Sequence, residues 1–287
     1  LANLLKQKGL LHSSICAVCG TLTLSVGTFF LPVSSVAVGM VDGSGNKSGK
    51  VEAGGNVTIN AAQPSAGNNN LVDVLTSVES RNADVNVKTV NGNLHIGSND
   101  ANTETVTAKG NVNLEADNGK IIIDGKTSTK EGDITLKAAN KEYVAGDNGK
   151  NIIINHSGVV ESARDANLIT VNGDLHVTDN VTAKDTLNVK TEGKGDILLD
   201  DDVEVKKDIS MQTDTGNITI GRKVTADNGN VSMTTGTGNI TIGEKVRAGQ
   251  GASMETGIGH ITVGDDLTAG NNVFMSAEEG NITVGNK

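Results

Sequence analysis

Aromatic residues are nearly missing from this chain: 287 residues contain no Trp, one Tyr and three Phe. Large aromatic side chains carry much of the buried area of an ordinary globular core. Their scarcity points to a narrow core of small aliphatic residues, as a solenoid interior has. Cysteine is as rare. Cys16 and Cys19 both fall in an apolar N-terminal segment, outside the βαβ or zinc context that a Cys-x-x-Cys site requires. A chain shortened past them has no thiol and cannot be held by disulfides. Proline occurs at Pro32 and Pro64 and nowhere later, so nothing beyond Pro64 interrupts a ladder of strand hydrogen bonds. Basic charge is in deficit, with a formal net charge of −10, which excludes non-specific nucleic-acid binding. From Gly195 onward no segment has a helical period.

What is present begins with an export signal. Lys6 and Lys8 precede an apolar run, Ile15 to Val38, ending in the small residues Ala37-Val38-Gly39, and this order of basic, apolar and small residues reads as a secretory leader over 1–39. The run is also long enough to cross a bilayer, so an uncleaved anchor is the alternative. Pro32 and the interspersed Gly, Ser and Thr weaken that reading. Position 1 is Leu, so either the start codon is read literally or the N-terminus is missing.

The dominant feature is an internal repeat. Gly-Asn-Ile-Thr-Ile-Gly stands at Gly216–Gly221 and Gly238–Gly243, followed by Gly-His-Ile-Thr-Val-Gly at Gly259–Gly264 and Gly-Asn-Ile-Thr-Val-Gly at Gly280–Gly285. The first apolar positions, Ile218, Ile240, Ile261 and Ile282, are 22, 21 and 21 residues apart. Between these motifs recur Lys223-Val224-Thr225-Ala226 and Asn230-Val231-Ser232-Met233, with counterparts at Lys245–Ala248, Asp266–Ala269, Ala252–Met254 and Asn272–Met275. A fixed period of this length marks a solenoid, and three short strands per period predict a right-handed parallel β-helix.

Alternation sets the faces, because successive side chains in a strand point to opposite sides. Ile218, Ile220, Val224, Ala226, Val231 and Met233 should fill the lumen of one coil, while Thr219, Thr225 and Ser232 face water. Gly221, Asp227-Asn228-Gly229 and Thr215-Gly216 supply turns of two to four residues. Looser variants lie upstream, at Gly55–Ile59, Gly92–Ile96, Gly132–Leu136, Gly149–Ile154, Gly173–Val177 and Gly195–Leu199. Insertions are expected around Ser98–Thr107, Lys137–Asn148 and Asn155–Asn167, and a short helix, if there is one, over Pro64–Arg81. The expected organisation is an N-terminal lead-in and capping region at 40–91, irregular coils with insertions at 92–194 and regular coils at 195–287, about ten to twelve coils together. No cap follows the last repeat, and open solenoid ends invite aggregation, so a longer natural product is expected.

A leader followed by Gly-Asn-Ile-Thr-Ile-Gly coils, each with a Lys-Val-Thr-Ala-like and a Gly-Asn-Val-Ser-Met-like strand, resembles the large repetitive adhesins related to filamentous haemagglutinin. It is especially similar to leukotoxin-type filamentous adhesins of anaerobic bacteria with outer membranes. The likeness covers about 50–287 as architecture and 195–287 as motif. It implies secretion to the bacterial cell surface or outer membrane, a long fibre, attachment to host-cell surface or extracellular-matrix molecules, and an outer-membrane secretion partner. One departure is that the Asn-Pro-Asn-Gly type motif, which usually opens the mature part of such proteins, is absent from Asp42–Ser65.

Candidate sites are few, and no catalytic residue, cofactor-binding residue or metal ligand is expected. His95 and His176 occupy equivalent outward positions, but no third ligand accompanies them. Asp200-Asp201-Asp202 with Glu204 offers oxygens to calcium, yet lacks the calcium-roll signature. Asp42-Gly43-Ser44-Gly45-Asn46 resembles an EF-hand opening only superficially, without flanking helices or a bidentate Glu. Asn217, Asn239 and Asn281, with His260 in the series, should stack as an amide ladder. Phe274 should point outward where its neighbours carry Ser232 and Ser253. Some parallel β-helices cleave acidic polysaccharides, which takes clustered carboxylates or a basic residue with a metal in a loop-walled groove. From Gly195 the turns are too short to wall a groove, and Arg is limited to Arg81, Arg164, Arg222 and Arg247. A non-enzymatic adhesive shaft is therefore expected; the alternatives are a polysaccharide-degrading enzyme and a passive stalk presenting a distal binding domain.

Overall fold

The computed structural model describes residues 10–11, 15–17, 22–26, 36–38, 40–41, 47–61, 70–97, 105–140, 149–179 and 181–285. The chain divides into two compact units, one of residues 1–139 with 154–161 and the other of residues 140–153 with 162–287. Each is a parallel β-helix whose coils contribute one strand to each of three sheets.

In the second unit the first sheet stacks Asp174–Val177, Ile197–Leu199, Ile218–Ile220, Ile240–Ile242, Ile261–Val263 and Ile282–Val284. The second sheet stacks Val181–Ala183, Val203–Val205, Val224–Ala226, Val246–Ala248 and Leu267–Ala269. The third holds longer strands, among them Leu187–Lys194, Ile209–Thr215, Val231–Thr237, Ala252–Ile258 and Val273–Glu279. Pairing is parallel and in register, Ile218 on Ile240 on Ile261 on Ile282. Like side chains therefore lie over like, about 4.8 Å apart. The predicted lumen is confirmed: Ile218, Ile220, Val224, Ala226, Val231 and Met233 are all buried. Each large aliphatic side chain so placed stabilises the coil by about 1.5–3 kcal/mol relative to exposure.

Alternation also carries threonines inward at the corner leading from the third sheet to the first. Thr213, Thr235 and Thr256 are buried, and their hydroxyls donate to the carbonyls of Gly195, Gly216 and Gly238 at 2.9, 2.8 and 2.8 Å. A buried hydroxyl needs such a partner, and here it ties one coil to the preceding corner. The glycine column at this corner is required by geometry. Gly238 has φ of 147°, a region that L residues avoid, and a Cβ there would lie 2.0 Å from the Gly216 carbonyl oxygen.

The first unit follows the same plan with less regular spacing. Asn70–Val74, Asn93–Ile96 and Ile121–Ile123 lie in its first sheet; Lys50–Ala53, Ser77–Ser80, Thr105–Ala108 and Lys126–Thr129 in its second; Val57–Ala61, Val85–Thr89, Val112–Ala116 and Ile134–Ala139 in its third. Three sequence expectations are corrected here. The stretch considered for a helix, Pro64–Arg81, carries the strands Asn70–Val74 and Ser77–Ser80; its residues 64–69 lie outside the described residues. Val72, Val74, Thr76 and Val78 alternate inward, a period of two that outweighs the helical spacing of Leu71, Val72 and Leu75. Asn155–Asn167 is no insertion, since Val159–Ser162 is an ordinary strand of the second sheet. Gly55–Ile59 and Gly132–Leu136, grouped by sequence with the Ile-Thr-Ile motif, begin strands of the third sheet.

Parts of the expected leader also carry strands: Ile15–Ala17, Leu22–Val26 and Val36–Val38 pair in parallel with Lys50–Ala53, Val57–Ala61 and Asn70–Val74. Among the described residues no helix is long and apolar enough to cross a membrane.

Candidate interaction surface

The outward positions of the first sheet in the second unit form three ranks. The rank before the strands is a ladder of side-chain acceptors, each receiving the backbone N–H of the next coil. Asp174 Oδ1 accepts from Asp196 N at 2.9 Å, Asp196 Oδ1 from Asn217 N at 2.6 Å, and Asn217 Oδ1 from Asn239 N at 2.8 Å. Asn239 Oδ1 then accepts from His260 N at 2.8 Å and His260 Nδ1 from Asn281 N at 3.0 Å. The ladder predicted from the asparagines thus exists, but as side chain to backbone bonds; within it only Asn217 donates its amide sideways, to Asp196 Oδ1 at 3.1 Å. Amide-to-amide stacking appears on other faces, as between Asn188 and Asn167 at 2.9 Å and Asn113 and Asn86 at 2.8 Å. Where the ladder uses two carboxylates in succession, charge is penalised: burial first, with the neighbouring Asp196 charge, raises the Asp174 carboxyl above its usual value against the Asp196 N–H that lowers it. Asn offers the same acceptor without the charge.

The middle rank is Thr219, Thr241, Thr262 and Thr283, in register. The third is Gly221, Gly243, Gly264 and Gly285, which leaves the surface low on that side. Between the first two ranks runs an open groove of about 410 Å³ lined by Asn239, Thr241, His260, Thr262, Asn281 and Thr283. Sequence reading treated the asparagines as a structural ladder only. It missed the groove because the rank of hydroxyls lies beside the ladder only once the coils are stacked in register.

The other sequence candidates are engaged elsewhere. His95, in the first unit, sits between two carboxylates, Nδ1 at 3.0 Å from Asp73 Oδ1 and Nε2 at 2.7 Å from Asp124 Oδ2. Asp124 is buried, and its other oxygen accepts from Asn155 Nδ2 at 2.6 Å. Burial opposes the imidazolium, but the hydrogen bonds to Asp73 and Asp124 outweigh it, and the His95 pKa is raised. His176 Nε2 lies 2.9 Å from Asp200 Oδ2 in the second unit. The acidic run is met by the next coil: Arg222 reaches Asp201 at 3.0 Å, and Lys223 reaches Glu204 at 2.6 Å and Asp202 at 3.4 Å. The Asp202 backbone N–H and then Arg222 hold the Asp201 carboxyl below its usual value. Among the described residues no three His, Cys, Asp or Glu side chains are grouped to hold a metal ion. Phe274 is exposed and pairs with Ser253, as expected. Asp42–Asn46 and Cys19 lie outside the described residues.

Comparison of the chain with protein-family models, with curated proteins and with solved structures finds no match.

Proposed function

We propose that this chain belongs to the shaft of a secreted, surface-exposed bacterial adhesin of the filamentous-haemagglutinin kind, a structural and adhesive fibre that contacts host cells or matrix. The observation that carries the reading is the coil itself, repeated with like side chains in register. Such an array buries its apolar rows between neighbours, extends by adding units, and presents long uniform surfaces. From Gly195 onward, among the described residues, the turns between strands are too short to wall a groove of the kind polysaccharide lyases use, and Asp201, Asp202 and Glu204 are paired with Arg222 and Lys223. Secretion through Lys6, Lys8 and the apolar segment up to Gly39, and passage through an outer-membrane partner, complete the proposal.

Immunoblotting of surface, culture and cytoplasmic fractions of the producing cells with antibody against residues 195–287 tests it. Recovery in the surface or culture fraction, with an N-terminus near residue 40, is expected; retention in the cytoplasm would overturn it. Adherence of the purified chain to host cells or matrix distinguishes an adhesive shaft from a passive stalk, and cleavage of acidic polysaccharides would turn the assignment to an enzyme.

A further inference from the structure

We infer that the groove on the first sheet of the second unit is a binding site for a linear, neutral polysaccharide lying along the stack of coils. The ladder itself creates the site. Because Asn239 Oδ1 is taken by the His260 N–H at 2.8 Å, the amide orientation is fixed and its NH₂ group has no partner among the described residues. Because His260 Nδ1 accepts the Asn281 N–H at 3.0 Å, the neutral ring carries its proton on Nε2, again without a partner among the described residues. Facing this rank of donors, the hydroxyls of Thr241, Thr262 and Thr283 make no hydrogen bond among the described residues. Asn217 differs: its NH₂ is committed to Asp196 at 3.1 Å, so the groove opens at the coil where the donors become free.

The groove's chemistry selects the ligand. Six residues line it and none is an acid or a lysine or arginine, although the chain as a whole has a net charge of −10. A cationic ligand would find no carboxylate among these six residues, the corner beside them carrying only Glu279 in register with Ile258, and a polyanion would be repelled by the whole molecule. What remains is a neutral partner rich in hydroxyls, able both to accept from the amide rank and to exchange hydrogen bonds with the threonines. The ranks repeat at about 4.8 Å, close to the advance per ring of an extended β-linked hexopyranose chain, so successive rings can meet equivalent groups in successive coils. Ile258, 52% exposed, stands at the corner just before Gly259 and His260, where an apolar residue suits the C–H face of a sugar ring. The site differs in kind from the adhesin assignment and can exist in a fibre whose host contacts lie elsewhere.

The test is isothermal titration of the full chain with cello-, chito- and manno-oligosaccharides, with heparin as the anionic comparison and analytical ultracentrifugation alongside. Binding to at least one neutral series and none to heparin is expected. Thr241→Val with Thr262→Val removes two hydroxyls while keeping shape and strand propensity, and should weaken binding at least tenfold. Asn239→Asp keeps the acceptor for the His260 N–H, replaces the donor by a charge, and should do the same. Thr225→Val, outward in the second sheet, should leave affinity unchanged, and circular dichroism should register the same fold in all variants. No binding to any neutral series, preference for heparin, or affinity indifferent to the groove variants would overturn the inference. So would self-association abolished by those variants, which would make the groove a contact between copies of the chain.

Discussion

Substituting Ile240 by Ala tests the coil at its centre. Ile240 is wholly buried, between the equally buried Ile218 and Ile261 of the adjacent coils. The change removes three carbon atoms, each worth about 0.8 kcal/mol of transfer free energy. A cavity contribution adds to this, because neighbours fixed by ladders above and below collapse poorly, and buried Ile to Ala changes span about 2–5 kcal/mol. A loss of about 3–4 kcal/mol is expected. In a solenoid each coil is stabilised mainly by its neighbours, so the loss should be local. Amide hydrogen exchange read by mass spectrometry is the suitable assay: at about 1.4 kcal/mol per factor of ten, strands from Ile218–Ile220 to Ile261–Val263 should exchange at least a hundredfold faster. Thr241→Ala, one residue along and outward, should change exchange by less than about 1 kcal/mol, the span of strand propensity. Equal effects of the two substitutions, or a larger effect at Thr241, would refute the register.

His95 makes stability depend on pH. Its folded pKa is raised, so its contribution is complete below the unfolded value of about 6.5 and is lost as pH rises through the folded value. Thermal melts of the first unit's transition should fall over that window, and His95→Gln should flatten the dependence. Gly238→Ala forces a side chain into positive φ and against the Gly216 carbonyl; a loss of at least about 2 kcal/mol is expected from strain alone, seen as a lowered urea midpoint. Arg222→Ala, by contrast, breaks ion pairs at a half-exposed side chain and should shift the midpoint only slightly, with the difference vanishing in high salt.

The regular coils were legible because three signals coincide in them: a 21–22-residue period, alternation of apolar and polar residues, and turn residues at fixed offsets. Where one signal fails, reading fails in a definite way. Gly55–Ile59 and Gly132–Leu136 have the opening of a first-sheet strand, yet both belong to the third. The distinguishing residue comes later: first-sheet strands of the regular coils stop at a Gly, as at Gly221 and Gly243, whereas Ile59 runs on to Asn60-Ala61 and Leu136 to Lys137-Ala138, with the Ala buried. Over Pro64–Arg81, Leu71, Val72 and Leu75 have the spacing of a helical face, but the inward series from Val72 to Val78 alternates with a period of two and decides for strands. Leu22-Thr23-Leu24-Ser25-Val26 has the same alternation, masked in sequence by the long apolar run around it. The His95 bridge was not legible at all, since Asp73 and Asp124 lie 22 and 29 residues away and meet the imidazole only once the coils are stacked.

Stacking in register also explains which outward residues this chain can use. A charge repeated at one position recurs about every 4.8 Å, well inside a screening length of about 8–10 Å, so a rank of one sign repels itself along its whole length. Two solutions appear. One alternates sign: Lys88, Glu115 and Lys137 follow one another in register, with Glu115 reaching Lys88 at 3.0 Å and Lys137 at 3.8 Å, and Arg222 sits between Asp201 at 3.0 Å and Glu244 at 3.7 Å. The other abandons charge, as the first-sheet ladder does on passing from Asp174 and Asp196 to Asn217, Asn239 and His260. The raised Asp174 pKa marks the point where the carboxylate version is already unfavourable. Neutral ranks are thus one structural answer to the repulsion that the repeat imposes, and in the first sheet that answer leaves amides and hydroxyls without partners among the described residues in line along one face.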